Sequence, residues 1–262
     1  MRAVLLAALT AVAVSGPVST AIAADLTPAR APSPAATGFY AGVKVGGSGL
    51  DLSNRSINYG AFEYTEGDHF SGDDQSWDMG SGTDTVFGGG VLLGYNFNRL
   101  TGFPVRLEFD YYARGRGEVN RAYDVVYNIS TNGVPTPEAA NLGQHDKISL
   151  QTALASLYFD IPTGGVLTPF VGGGIGAAFI DHTVIGIENG TDTFSNSRSS
   201  TNFAWSLGGG LAWAINERLT VDLSYRYVNA GTSTVAKGNW EPLTATTDIA
   251  SQDVTIGLRA NF

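Results

Sequence analysis

The chain has no cysteine and only three histidines, His69, His145 and His182. Without thiols nothing is stapled by disulfides, so stability must come from packing and hydrogen-bond closure. Three scattered imidazoles also leave little from which to build a transition-metal or haem site, and no cofactor is expected. Past the N-terminal segment, no stretch is apolar for the roughly 20 residues a membrane-crossing helix needs. Basic residues are scarce: 15 Lys and Arg stand against 24 Asp and Glu, for a formal charge of −9. That balance argues against a basic patch for nucleic acid or anionic lipid. Glycine, by contrast, is abundant at 34 residues, and mean hydropathy is close to zero. A soluble all-β protein has such an average, and so does a barrel in which only alternate residues meet lipid.

Residues 1–23 read as an export signal. Arg2 supplies the positive start, Ala3 to Val14 the apolar core, and Ala21-Ile22-Ala23 a small-x-small cleavage site before Ala24. Losing Arg2 with the signal takes the charge from −9 to about −10. A Pro-rich lead over 24–36 and one folded unit over 37–262 account for the rest.

Within that unit, apolar residues recur with period two, as on one face of a strand. The last segment is the cleanest. Val254, Ile256, Leu258, Ala260 and Phe262 share one face, opposite Asp253, Thr255, Gly257, Arg259 and Asn261. The first sets Phe39, Ala41, Val43 and Val45 against Tyr40, Gly42, Lys44 and Gly46. Phe87 to Phe97 forms a second, and Val105, Leu107, Phe109, Tyr111 and Ala113 opposite Arg106, Glu108, Asp110 and Arg114 a third. A fourth, near 147–161, puts Ala153, Ala155, Leu157, Phe159 and Ile161 outside but leaves Ile148, Leu150 and Leu154 on the wrong face, which a bulge would repair. Pro169 to Phe179, Phe203 to Trp213, and Leu219 to Tyr227 complete eight, the last with Asp222 and Arg226 on its polar side.

The connections alternate. Those at 98–103, 162–165 and 215–217 are short, whereas 51–83, 117–146, 181–201 and 229–248 are long and polar. Short turns on one rim and long loops on the other is the rule of outer-membrane barrels. Aromatics on the apolar faces gather near strand ends (Phe39, Tyr95, Phe159, Phe203, Trp213, Phe262), as in interfacial girdles. The expected fold is therefore all-β: an eight-stranded antiparallel, up-and-down transmembrane barrel with short periplasmic turns and long extracellular loops.

Several stretches carry a family resemblance. Ala24-Asp25-Leu26 precedes Thr37-Gly38-Phe39-Tyr40-Ala41-Gly42, followed by Gly94-Tyr95-Asn96-Phe97 and Leu107-Glu108-Phe109-Asp110-Tyr111. Thr168-Pro169-Phe170-Val171-Gly172-Gly173-Gly174, Leu223-Ser224-Tyr225-Arg226-Tyr227 and Leu258-Arg259-Ala260-Asn261-Phe262 complete the series. In order and spacing these stretches resemble the small outer-membrane barrels that include OmpA-like transmembrane domains, opacity proteins and alphaproteobacterial surface antigens, often described as a porin family. The resemblance implies a Gram-negative outer-membrane location. It also implies insertion by the outer-membrane assembly machinery, with Phe262 closing the signal it reads. Ser156 stands where relatives carry Asn. No peptidoglycan-binding domain is expected after the barrel.

An eight-stranded barrel is just wide enough for side chains to fill it. The inward set is Lys44, Arg106, Glu108, Asp110, Arg114, Asp222, Arg226, Asp253 and Arg259, charges of both signs that should pair. We read them as a plug rather than a selective constriction. Catalysis is not expected: a lipid A deacylase needs Ser two residues from His on a lipid-facing strand, and no histidine here has one. Asp73, Asp74 and Asp78 lack the spacing of an EF-hand and read as solvated loop. The same acidic loop carries aromatics, and Trp77 is the anchor expected to meet a host or surface ligand. The expected function is a monomeric structural and surface-interaction barrel embedded in outer-membrane lipid. A narrow porin-like channel for small solutes is the alternative.

Overall fold

The computed structural model describes residues 38–236 and 243–262. The signal segment (1–23) and the Pro-rich lead (24–36) lie outside the described residues.

The described elements are β1 Phe39–Tyr59, β2 Phe62–Glu66, β3 Asp68–Gly72, β4 Gln75–Asp78, β5 Gly82–Asn96, α1 Asn98–Thr101, β6 Val105–Arg114, β7 Gly117–Thr131, β8 Val134–Asp160, β9 Leu167–Glu188, β10 Thr191–Ala214, β11 Leu219–Ala236 and β12 Leu243–Asn261. Every ladder is antiparallel. Pairing runs β8–β6–β5–β1–β12–β11–β10–β9 and returns from β9 to β8, so the sheet closes and has an inside. The chain ends meet on that circuit: Tyr40 stands opposite Asn261, and the Phe262 N–H donates to the Phe39 carbonyl at 2.9 Å. β4 adds to the upper end of β1, and the β2–β3 hairpin joins β7 only at Phe70 and Ser71.

Outward side chains form an apolar belt. Phe87 is 86% and Phe203 66% exposed, and Val43, Val91, Leu157, Val171, Leu207, Leu223 and Ile256 face out with them. Moving away from the short turns, the outward row then turns polar on seven belt strands: Asp51, Thr85, Gln151, Asp181, Thr201, Asn229 and Gln252. Several of these are tied laterally. Gln252 Nε2 donates to Asp51 Oδ2 at 2.7 Å, Thr83 Oγ1 to Asp51 Oδ1 at 2.6 Å, and the Tyr111 hydroxyl to Gln151. Below that hoop lie about 10 residues of strand, the length a tilted strand needs to cross hydrocarbon.

Above the hoop the structure corrects the sequence reading. The segments expected as long polar loops are mostly strand: β8, β9 and β10 run 27, 22 and 24 residues, far past the belt. Two hairpins turn on Asn-Gly pairs, Asn132-Gly133 (φ 50° and 82°) and Asn189-Gly190 (φ 49° and 80°), each between directly paired residues. Both positive φ values belong to the type I′ turn that matches strand twist. The strands were hidden because water wets their outward face there, so polarity no longer marks one side and the apolar period breaks up.

The fourth strand needs a different correction. β8 pairs with β6 and β9 without a register shift, so no bulge restores its pattern. Ile148, Leu150 and Leu154 point inward and are buried with Leu50, Leu52, Val86, Ala178, Ile180 and Ile249. The interior has an apolar storey, and these three residues belong to it.

Real bulges occur elsewhere. β1 shifts register between Ser53 and Ser56, and β11 between Asn229 and Thr232, both against β12 at the height of Asp248. Asp248 holds both, accepting from Asn54 Nδ2 at 2.7 Å and from the Thr232 hydroxyl. Asn54 (φ 47°) and Gly231 (φ 75°) supply the left-handed backbone. Past each bulge the inward parity flips from even to odd, so Arg55, Ile57, Ser233 and Val235 point inward.

Candidate functional site

The interior is stacked in storeys, beginning near the short turns. Arg106 Nε meets Asp160 Oδ1 at 2.9 Å and its Nη1 lies 3.6 Å from Glu108, while Arg259 Nη2 donates to Asp222 at 2.7 Å. Lys44 pairs with Asp110, which Arg226 Nη1 also contacts at 2.9 Å. Arg114 Nη2 reaches Asp253 at 2.7 Å, and Arg226 Nη2 lies 3.4 Å from the same carboxylate. All nine inward charges named from the sequence are buried. Asp160, which the sequence reading left out, joins them.

Aromatic rings fill between the ions. Arg106 lies 4.4 Å from the Phe170 centroid, Arg114 4.9 Å from Tyr112, and Arg259 5.0 Å from Tyr40. Glycines on facing strands make room. A Cβ at Gly172 would sit 2.5 Å from the Tyr158 ring, and one at Gly94 2.2 Å from that of Tyr40. The space left beside Lys44, Arg106, Glu108 and Arg226 is about 40 Å³, near the volume of one water.

Over the apolar storey sits a second polar cluster that the sequence reading missed. Arg55 is fully buried, with Nη2 2.6 Å and Nε 2.7 Å from Asp146 Oδ2, and it donates further to the carbonyls of Met79 (3.1 Å) and Gln144 (2.8 Å). His182 Nε2 lies 2.7 Å from Asp146 Oδ1 and its Nδ1 3.0 Å from Ser233 Oγ. Burial alone would push the Asp146 carboxyl up; the His182 hydrogen bond and the Arg55 charge outweigh it and hold the group below the usual carboxylate range. Arg55 falls in the segment 51–83 that was expected to be loop, and the bulge in β1 brings it inside. His182 was read as loop and is a buried strand residue.

Ser233, His182 and Asp146 stand in hydrogen-bonded sequence, the order of a nucleophilic triad. All three are at most 1% exposed, and Arg55 occupies the carboxylate. A substrate has no way to the hydroxyl, and the arrangement is a packed polar core.

At the mouth, Trp77 lies on a strand and not on the loop expected for it. It is half-buried on β4, edge-on to Tyr127 at 6.3 Å, in the wall of a cavity of about 380 Å³. The acids around it are spread over separate elements: Asp74 Oδ1 accepts the Ala61 N–H at 2.6 Å and Asp78 Oδ1 the Gly80 N–H at 2.8 Å. Among the described residues no three His, Cys, Asp or Glu converge as metal ligands.

A closed antiparallel sheet with an apolar outer belt and a charged interior defines an integral β-barrel membrane protein. The chain belongs to the outer membrane protein beta-barrel domain family, whose model matches residues 4–262, and it is a protein of the outer membrane. It is 29% identical over 187 residues to the outer membrane protein PagN of Salmonella typhimurium, covering 69% of this chain and 74% of PagN. It is 32% identical over 155 residues to an uncharacterised protein of Brucella suis, covering 54% of this chain and 51% of that protein. A Rickettsia prowazekii protein named as a candidate adhesin is 25% identical over 136 residues, covering 51% of this chain and 59% of its own. The chain thus spans about half the length of the Brucella relative.

Proposed function

We propose that the chain is a monomeric eight-stranded transmembrane barrel with a sealed interior, and that it works at the cell surface as a structural and contact protein of adhesin type. The observation that carries this reading is the stack inside the closed circuit: ion pairs, then an apolar storey, then Arg55–Asp146–His182. Eight strands leave a bore that side chains can fill, and here ions of both signs satisfy one another across it. Material spent beyond the belt supports the second half, since β7 and the outer part of β8 stand clear of the lipid zone. The similarity to a protein named as a candidate adhesin points the same way. Residues 1–23 serve as the export signal and 24–36 as a periplasmic lead. Phe262, at the end of the outward row of β12, closes the signal read during insertion.

Planar-bilayer recording tests the sealed interior. The expected result is no steady conductance above leak. Reproducible unitary steps in the wild type would replace this reading with a narrow solute channel.

A further inference from the structure

The mouth cavity has features that neither the sealed interior nor surface contact requires. It is blind: Val184, Val235 and Ala245 pack beneath it with Phe194 against them, and the Arg55–Asp146–His182 cluster lies deeper. Its volume of about 380 Å³ falls within the range of small-molecule sites. The walls are largely aromatic and aliphatic, with Trp77, Tyr127, Tyr59 and Phe62 on one side and Leu142 and Leu243 on others.

One carboxylate, Glu188, faces this space. It accepts a hydrogen bond from the Tyr127 hydroxyl at 3.4 Å, and among the described residues no cation is paired with it. The basic residue buried nearest below, Arg55, is already committed to Asp146. Burial, and after it the charge and hydrogen bond of Glu188, push the Tyr127 phenol above its usual value.

Half-buried carboxylate and π-faces answer to one kind of ligand. A cation over an aromatic ring gains from the ring quadrupole, and gains more where water is excluded. A carboxylate without a charged partner in such a place is stabilised by any cation that enters. The apolar walls exceed what a bare ammonium would fill and match a hydrocarbon or aromatic body. From this geometry we infer that the extracellular mouth is a binding site for a small organic cation with an apolar body, held by Glu188 and the faces of Trp77 and Tyr127. The site is independent of what the hairpin tips touch. The outer surface of an acidic protein would also concentrate cations near the entrance.

The test uses the full barrel in lipid nanodiscs, with empty nanodiscs as blank, and three probes of one shape: phenethylammonium, 2-phenylethanol and phenylacetate. Calorimetric titration should give saturable binding of the ammonium, weaker binding of the alcohol and none of the acid. Glu188→Gln should weaken the ammonium by about tenfold and leave the alcohol unchanged. Trp77→Leu should weaken both. Tyr127→Phe keeps the ring and frees Glu188 of its donor, so it should bind the ammonium at least as well as wild type. Heat-modifiable gel migration of each variant separates loss of the site from loss of the fold. No saturable ammonium binding in the wild type, equal binding by the acid, or unchanged affinity in a folded Glu188→Gln would each overturn the inference.

Discussion

Arg55 is the side chain whose position matters most out of proportion to its neighbourhood in the sequence. It is surrounded there by acids that stay outside, yet it supplies the cation of the upper interior cluster. Arg55→Met would leave Asp146 buried against His182 without a fixed positive partner. Breaking such a pair from one side costs about 3–5 kcal/mol, so the urea midpoint in lipid vesicles should fall markedly, while an unchanged midpoint would show the pair to be idle. Acid adds a second readout. Because Asp146 is held below its ordinary value when folded, its ionised form contributes stability in full above the ordinary carboxylate range, about pH 4. That contribution is lost as the pH falls through the lower folded value. Asp146→Asn should therefore flatten the acid limb of the curve of urea midpoint against pH. A limb as steep as in the wild type would place the linkage on other carboxylates.

At the scale of the strand, inside and outside alternate residue by residue, and neighbouring glycines expose the rule. A Cβ on Gly46 would lie 2.0 Å from the Val254 carbonyl oxygen and 2.7 Å from the Thr255 Cα, whereas one on Gly47 meets nothing within 4 Å. Backbone cannot step aside as a side-chain tip can. Gly46→Ala should cost about 1–3 kcal/mol through overpacking, and Gly47→Ala should be neutral or mildly stabilising. Equal effects of the two in urea titrations would contradict the parity assigned to β1. The bulges at Ser53/Ser56 and Asn229/Thr232 set the limit of that rule, since past them the same arithmetic gives the wrong face.

For the whole molecule, the belt and the outer hairpins are separable. The closed circuit is complete at the level of the belt, where β6, not β7, joins β5 to β8. Deleting residues 124–141 and joining Tyr123 to Leu142, which face each other, through Asn-Gly removes the outer half of the β7–β8 hairpin, including Tyr127 of the mouth cavity and the β7 residues that pair with β3. The truncated protein should still insert and show heat-modifiable migration, and it should lose surface attachment of cells expressing it. Attachment at the wild-type level would remove this hairpin from the contact surface, and failure to fold would mean that the hairpin is part of the barrel's stability.

The sequence by itself determined the strands of the belt, their faces, the short turns and the outer-membrane class. Lipid on one side and charge on the other impose a period of two that no other environment erases. It also carried the nine inward charges, because at belt height polarity can only mean inward. Above the belt water wets the outer face, so polarity no longer marks direction. There the tertiary structure alone decided which segments were strand, that Ile148 and Leu150 turn into the bore, and that Trp77 lines a cup. Asn132-Gly133 and Asn189-Gly190 were legible signals for two of those hairpins. Nothing local announced Arg55. Its inward turn depends on a bulge held by Asp248, nearly two hundred residues away in sequence, and so on ring closure itself.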